Sequence, residues 1–154
     1  MFSEIFPRER VLNRGIGGDR TDDLLARFSP LTEGPAEKLF IKIGTNDLGS
    51  GVRQDTILSN YAELLDRLAR EIPSTRVYLQ SVLPRGREYR ERVEQLNREL
   101  ASLAKERGLT YIDLYSAFLG EDGSIRDELT YDELHLSGAG YREWQRLLEP
   151  HVKE

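Results

Sequence analysis

The chain contains no cysteine. Disulfides, thiolate nucleophiles and cysteine-ligated metals are thereby excluded. Histidine is nearly as scarce: only His135 and His151 occur, so a multi-histidine metal centre is not expected. Long apolar runs are also missing, and no stretch approaches the roughly 20 residues of a membrane span. No secretory leader is visible when Met1 is taken as the start. A cytoplasmic location is the expectation, with secretion left open. There is no excess of basic charge, since 22 Lys and Arg stand against 27 Asp and Glu for a net −5. A nucleic-acid binder usually shows a basic face, so that class is disfavoured. The densest basic cluster, Arg85, Arg87, Arg90 and Arg92, is interleaved with Glu88 and Glu91 and reads as a solvated helix start. Internal repeats, low-complexity segments and interdomain linkers are absent.

What is present suits one globular domain with a real core: 154 residues, 38% apolar and 32% charged. Short apolar runs alternate with helical patterns. Arg10–Asn13, Lys38–Ile43, Arg76–Val82 and Leu109–Leu114 read as strands. Thr21–Phe28, Asp55–Arg70, Tyr89–Lys105 and Ser137–Leu148 read as helices. The stripe Ile57, Tyr61, Leu64, Leu65 and Leu68 has helical spacing, as does Tyr89, Val93, Leu96, Leu100 and Leu103. Gly108 makes a helix stop and Ser137 an N-cap. The alternation predicts an open parallel α/β sheet covered on both faces. In such sheets ligands bind beyond the carboxyl ends of the strands.

Three segments fall at such ends. Gly15-Ile16-Gly17-Gly18-Asp19 opens a helix, where bare backbone N–H groups favour an anion. It lacks the third glycine of a dinucleotide fingerprint, because Arg20 stands there, and a plain tight turn explains it equally well. A phosphate- or nucleotide-binding protein built on this turn is one reading. Gly44-Thr45-Asn46-Asp47 places the Asn46 amide where it could donate to a developing oxyanion. An Asx turn closing the strand is the structural alternative. Asp132 and His135, three apart before a helix, have a spacing that allows a carboxylate to orient an imidazole acting as general base. An exposed loop histidine is the plainer alternative. Glu133 reads as solvated, and His151 as a residue of the last, frayed turn.

Taken together and in this order, the segments resemble the SGNH hydrolases, also called GDSL-type esterases. The likeness is strongest to the branch of the platelet-activating factor acetylhydrolase catalytic subunits and similar bacterial acyl esterases. It rests on Val11–Asp19, Ile43–Asp47, Val82–Gly86 and Asp132–Ser137, with Tyr111-Ile112-Asp113 and Gly140-Tyr141 also familiar. The resemblance implies a three-layer α/β/α, flavodoxin-like fold and hydrolysis of small O-acyl or O-acetyl esters without metal or organic cofactor. By position, Gly18 would give a backbone N–H and Asn46 its side-chain amide to an oxyanion hole. His135 would be the general base and Asp132 its orienting carboxylate. Self-association into a homo-oligomer stays open.

The family's first block, Gly-Asp-Ser at the end of the central strand, is not in the sequence. Its serine is the nucleophile. Ser3, Ser81 and Ser137 do not match its position. The expectation is therefore an N-terminally incomplete domain, inactive as it stands. A partner-binding pseudoenzyme, or a second chain supplying strand and serine, are the alternatives. The absent strand belongs between the strands at Val11 and Phe40. Its loss would leave buried backbone unpaired at about 1–3 kcal/mol per group, against about 5–15 kcal/mol of net stability for a domain.

Overall fold

The computed structural model describes residue 6 and residues 10–154. Three parallel strands, β1 (Lys38–Ile41), β2 (Arg76–Gln80) and β3 (Thr110–Ile112), form the sheet in that order. Lys38 lies beside Arg76 in one ladder, and Tyr78 beside Thr110 in the other. Helices α1 (Thr21–Ala26) and α2 (Phe28–Thr32) precede β1, and α3 (Thr45–Gly49) and α4 (Gln54–Glu71) follow it. Next come α5 (Arg90–Glu106), the short α6 (Tyr115–Phe118) and α7 (Gly138–Lys153).

Side-chain alternation along the strands produces the three layers. Ile41 and Leu79 face a core made by Ile57, Tyr61, Leu64 and Leu68 of α4 and by Val93, Leu96 and Leu100 of α5. Phe40, Tyr78 and Ile112 face the other way, onto Trp144 and Leu148 of α7. Phe40 stacks on Tyr78 with ring centroids 4.6 Å apart. The indole N–H of Trp144 donates to Gln80 Oε1 at 2.7 Å, so the polar tip of a buried aromatic is satisfied.

Arg10–Asn13 is not a strand: it forms no ladder with any described residue. A strand exists only through a neighbour's backbone, and no described residue pairs alongside. Val11 packs against the α7-side core, Leu12 is 74% exposed, and Asn13 turns its Oδ1 back to accept from the Gly15 N–H. On its outer side β1 likewise has no ladder partner among the described residues.

The other strands end earlier than their apolar runs. Past β2, Val82 is held by a side chain instead of a strand: its N–H donates to Asn97 Oδ1, and its carbonyl accepts from Asn97 Nδ2, both at 2.8 Å. The helix expected over 21–28 breaks at Arg27 into α1 and α2. The last helix runs past Leu148 to Lys153 with Pro150 inside it. The stop at Gly108 is as expected, with φ +66° and a Leu109 N–H bond to the Ala104 carbonyl at 2.8 Å. Ser137 caps α7, accepting from the Gly140 N–H at 3.2 Å.

Candidate active site

The chain leaves β1 through Gly44, whose φ of +120° is closed to ordinary side chains. It then enters α3, where Asp47 turns inward and is 1% exposed. Its carboxylate accepts from the Thr21 N–H at 3.0 and 3.2 Å and from the Thr21 hydroxyl at 2.6 Å. Asn60 of α4 donates to the same hydroxyl at 2.9 Å. The carboxylate thus caps the Thr21 N–H at the start of α1, beside Asp23, which accepts from the Arg20 N–H at 2.9 Å. Burial raises the Asp47 carboxyl pKa, and the bonds from Thr21 oppose that rise.

This clamp fixes the glycine-rich turn against α3. Asn46 Nδ2 donates to the Asp19 carbonyl at 2.9 Å. Arg27 grips the Asp19 carboxylate at 2.6 Å. Gly18, one residue earlier, has φ +86° and open space around it. Its N–H has no partner among the described residues. Gly18 and Asn46 are therefore brought together. One amide hydrogen of Asn46 is committed to the turn, and the other is free to donate outward.

Arg85 braces the same helix. Its guanidinium donates to the Thr45 carbonyl at 2.8 Å and stacks 3.9 Å above the Tyr89 ring. Arg92 donates to the carbonyls of Leu48 and Val52 at 3.0 and 3.1 Å. The basic cluster is thus not simply a solvated helix start. Arg87 and Arg90 face water, while Arg85 and Arg92 tie α3 to the rest of the molecule.

Asp132 and His135 form the second group. The loop is pinched by a bridge between Thr130 and Leu136 and turned by Glu133 at φ +62°. Asp132 Oδ1 accepts from the N–H groups of Leu134 and His135 at 3.1 and 2.7 Å. Asp132 Oδ2 lies 2.7 Å from His135 Nδ1. With an ionised carboxylate as acceptor, the ring proton is assigned to Nδ1, which leaves Nε2 as the basic nitrogen. These bonds, chiefly from the His135 backbone and ring, hold the Asp132 carboxyl below its ordinary pKa. The His135 side chain is 74% exposed and its Nε2 has no partner among the described residues. His151 is not frayed: it packs against Tyr78 with ring centroids 5.7 Å apart.

A small cavity of about 50 Å³ at the carboxyl end of the sheet is lined by Lys42, Thr45, Leu83, Pro84 and Leu134 among others, with Thr45 next in sequence to Asn46 and Leu134 next to His135. A wider, open depression is lined by Arg53, Asp55, Thr56, Ser59 and Asn60, and neither concavity is lined by Gly18, Asn46, Asp132 or His135 themselves.

No described serine hydroxyl is bonded to His135. Ser81 accepts from the N–H groups of Leu114 and Tyr115, and Ser137 is spent on its cap and the Glu128 carbonyl. Ser3 lies outside the described residues.

Sequence reasoning passed over Asp47, Thr21 and Arg85. Each had a signal: an acid directly after Asn46, a threonine opening a helix after a glycine turn, and an arginine beside Pro84.

The structure holds an imidazole oriented by a carboxylate at His135 and Asp132, and, on another segment, Asn46 bonded to the turn that follows Gly18. The sequence profile of the GDSL-like lipase/acylhydrolase family matches residues 1–143. Platelet-activating factor acetylhydrolase IB subunit alpha1 of Pongo abelii is 34% identical over 152 residues, covering 92% of this chain and 63% of the relative. The Homo sapiens protein of the same name is 33% identical over 150 residues with the same coverage. The chain thus spans under two thirds of the length of these curated relatives. A solved structure from Streptococcus pneumonia, described as a platelet activating factor, superposes with TM-score 0.90 at 30% identity, covering 98% of this chain and 77% of that one. A GDSL-like lipase of Bacteroides thetaiotaomicron superposes with TM-score 0.89 at 22% identity, over 97% and 78% of the two chains. Sequence and fold converge, and the chain belongs to the GDSL-like lipase/acylhydrolase family.

Proposed function

We propose that this chain carries the base and oxyanion half of a serine ester hydrolase for small O-acyl or O-acetyl esters. The observation that carries the reading is the 2.7 Å contact between Asp132 Oδ2 and His135 Nδ1, with Nε2 left free. A serine hydroxyl held at Nε2 would lose its proton to the imidazole as it attacks the ester carbonyl. Asp132 would stabilise the imidazolium, and His135 would return the proton to the departing alcohol. The Gly18 N–H and the second amide hydrogen of Asn46 would receive the oxyanion. Neither a metal nor an organic cofactor takes part.

A second reading rests on the absence of any described serine at His135. It holds that the same cleft binds an ester or a partner without turnover.

Hydrolysis of p-nitrophenyl acetate separates the two. The chain by itself should show no repeated turnover. Grafting the Gly-Asp-Ser strand of a relative onto its N-terminus should create turnover, and His135→Ala or replacement of the grafted serine should abolish it. A folded graft that is inactive, or activity that survives His135→Ala, would overturn the esterase reading.

A further inference from the structure

The Asp132–His135 pair stands largely in water, with the two side chains 52% and 74% exposed. Packing therefore does little to hold it, and hydrogen bonds must. The turn between the two residues also passes through Glu133 at φ +62°, a conformation that a glutamate rarely adopts. Such a residue keeps its conformation only where the surroundings impose it. Something beyond the pair itself has to fix this turn.

One side chain does so at both ends. Thr130 Oγ1 donates to the His135 carbonyl at 2.7 Å and accepts from the Asp132 N–H at 3.3 Å. A hydroxyl has one proton to give and two lone pairs to receive with, so a single group can serve both residues. No other side chain from outside the pair bonds either residue among the described residues. Thr130 is well placed for the task. It is bridged to Leu136, and its neighbours Leu129 and Leu136 are buried in the α7-side core. The hydroxyl thus ties an exposed pair to a packed base.

We propose that Thr130 is the positioning residue of the Asp132–His135 pair, its hydroxyl holding the turn in the shape that brings Asp132 Oδ2 to His135 Nδ1. The proposal rests on the esterase reading, in which His135 must present Nε2 as the base. Without the hydroxyl, the Asp132 N–H and the His135 carbonyl turn to water and Glu133 is released from its left-handed conformation. The ring then loses the acceptor that keeps its proton on Nδ1. A neutral imidazole so released favours the proton on Nε2, the tautomer that cannot take a proton from a serine there.

The test needs no turnover and uses the 154-residue chain. Nitrogen NMR of the imidazole, at a pH where the ring is neutral, reads the ratio of Nδ1–H to Nε2–H tautomers, and His135→Ala identifies the His135 signals. Thr130→Val keeps the side chain's shape and removes the hydroxyl. It should lower the ratio about 3–10-fold while circular dichroism shows the parent fold. It should also bring the Asp132 carboxyl midpoint back up toward 3.8. Thr130→Ser restores the hydroxyl and should restore the parent's ratio. A folded Thr130→Val variant with the parent's ratio would overturn the proposal. So would a Thr130→Ser variant as impaired as Thr130→Val, since the methyl group would then be responsible. Thr130→Ala is read in the same way should the valine variant not fold. The two readings fail separately, because the tautomer ratio is measured without turnover and turnover of the grafted form decides the esterase reading.

Discussion

Replacing Asp47 by alanine should destabilise the protein by undoing the clamp between α3 and the start of α1. The substitution strands two donors, the N–H and the hydroxyl of Thr21, in a place where Asp47 is 1% exposed and Thr21 is 3% exposed. A hydrogen bond to a charged group contributes about 1.5–3 kcal/mol. Two such bonds set the upper limit, and the desolvation that raises the Asp47 carboxyl pKa subtracts from it. A net loss of about 2–4 kcal/mol is expected, which for a chain of this size lowers Tm by about 5–15 °C. Asp47→Asn keeps one acceptor oxygen and should lose about half as much. Urea denaturation of the parent, Asp47→Ala, Thr21→Ala and the double variant gives the coupling energy, expected at about 1–2 kcal/mol. The sign of the pH effect is also fixed. A raised pKa means that the folded protein holds this proton more readily than the unfolded chain does. Ionised Asp47 therefore opposes folding above its folded pKa, and the penalty fades as pH falls through it. Asp47→Ala within about 0.5 kcal/mol of the parent, or strictly additive losses with Thr21→Ala, would refute the claim that this carboxylate anchors the turn.

Asp132 should behave in the opposite sense. Its folded pKa is depressed, so its contribution is present above the unfolded value and is lost only as pH falls through the lowered one. An NMR titration should place the Asp132 carboxyl midpoint below the reference value of 3.8, and a midpoint at or above it would remove the His135 contacts as its cause. Gly140→Ala should cost about 3 kcal/mol or more in thermal unfolding, because the added Cβ would stand 2.2 Å from the Leu129 carbonyl oxygen. Arg85→Met should keep the stack on Tyr89 but free the Thr45 carbonyl, costing about 1–2 kcal/mol and speeding amide exchange at Asn46. Unchanged exchange there would show that Arg85 does not hold this helix. In a form given the Gly-Asp-Ser strand, Asp132→Asn should lower kcat by about 10²–10⁴-fold with KM little changed.

The helices were the most legible part of the sequence. The stripes on α4 and α5 bury Ile57, Leu64, Val93 and Leu100 as their spacing requires, because a 3.6-residue period marks one face whatever the rest of the chain does. The motif segments were legible too, since Asp132 and His135 are close in sequence and local turn geometry suffices to join them. Thr21 and Asp47 meet across 26 positions. No local pattern announces such a pair, and an aspartate in a turn ordinarily points to water. Arg85 was misread for a similar reason. Interleaved charge predicts a solvated face, but a long guanidinium reaches back over its own helix start to a carbonyl on α3.

The strand expected at Arg10–Asn13 differs from these cases. Its alternation is strand-like, and its failure to pair does not come from its own residues. A ladder needs two chains of backbone, and β1 shows the same deficit from the other side, with Lys38, Leu39 and Phe40 only half-buried where an inner strand would be covered. The site shows the deficit chemically. Asn46 is held by the Asp19 carbonyl, the start of α1 by Asp47 through Thr21, and His135 by Asp132, each through bonds made wholly within the described residues. Among the described residues, His135 Nε2 and the Gly18 N–H have no hydrogen-bond partner. On the esterase reading, each half of the site is thus held by bonds that do not involve a nucleophile. A nucleophile supplied in the right position would therefore meet a prepared site, with little ordering left to occur on its arrival. On the esterase reading, adding a strand that carries Gly-Asp-Ser should raise stability and turnover together, whereas a free serine-containing peptide that cannot pair with β1 should raise neither.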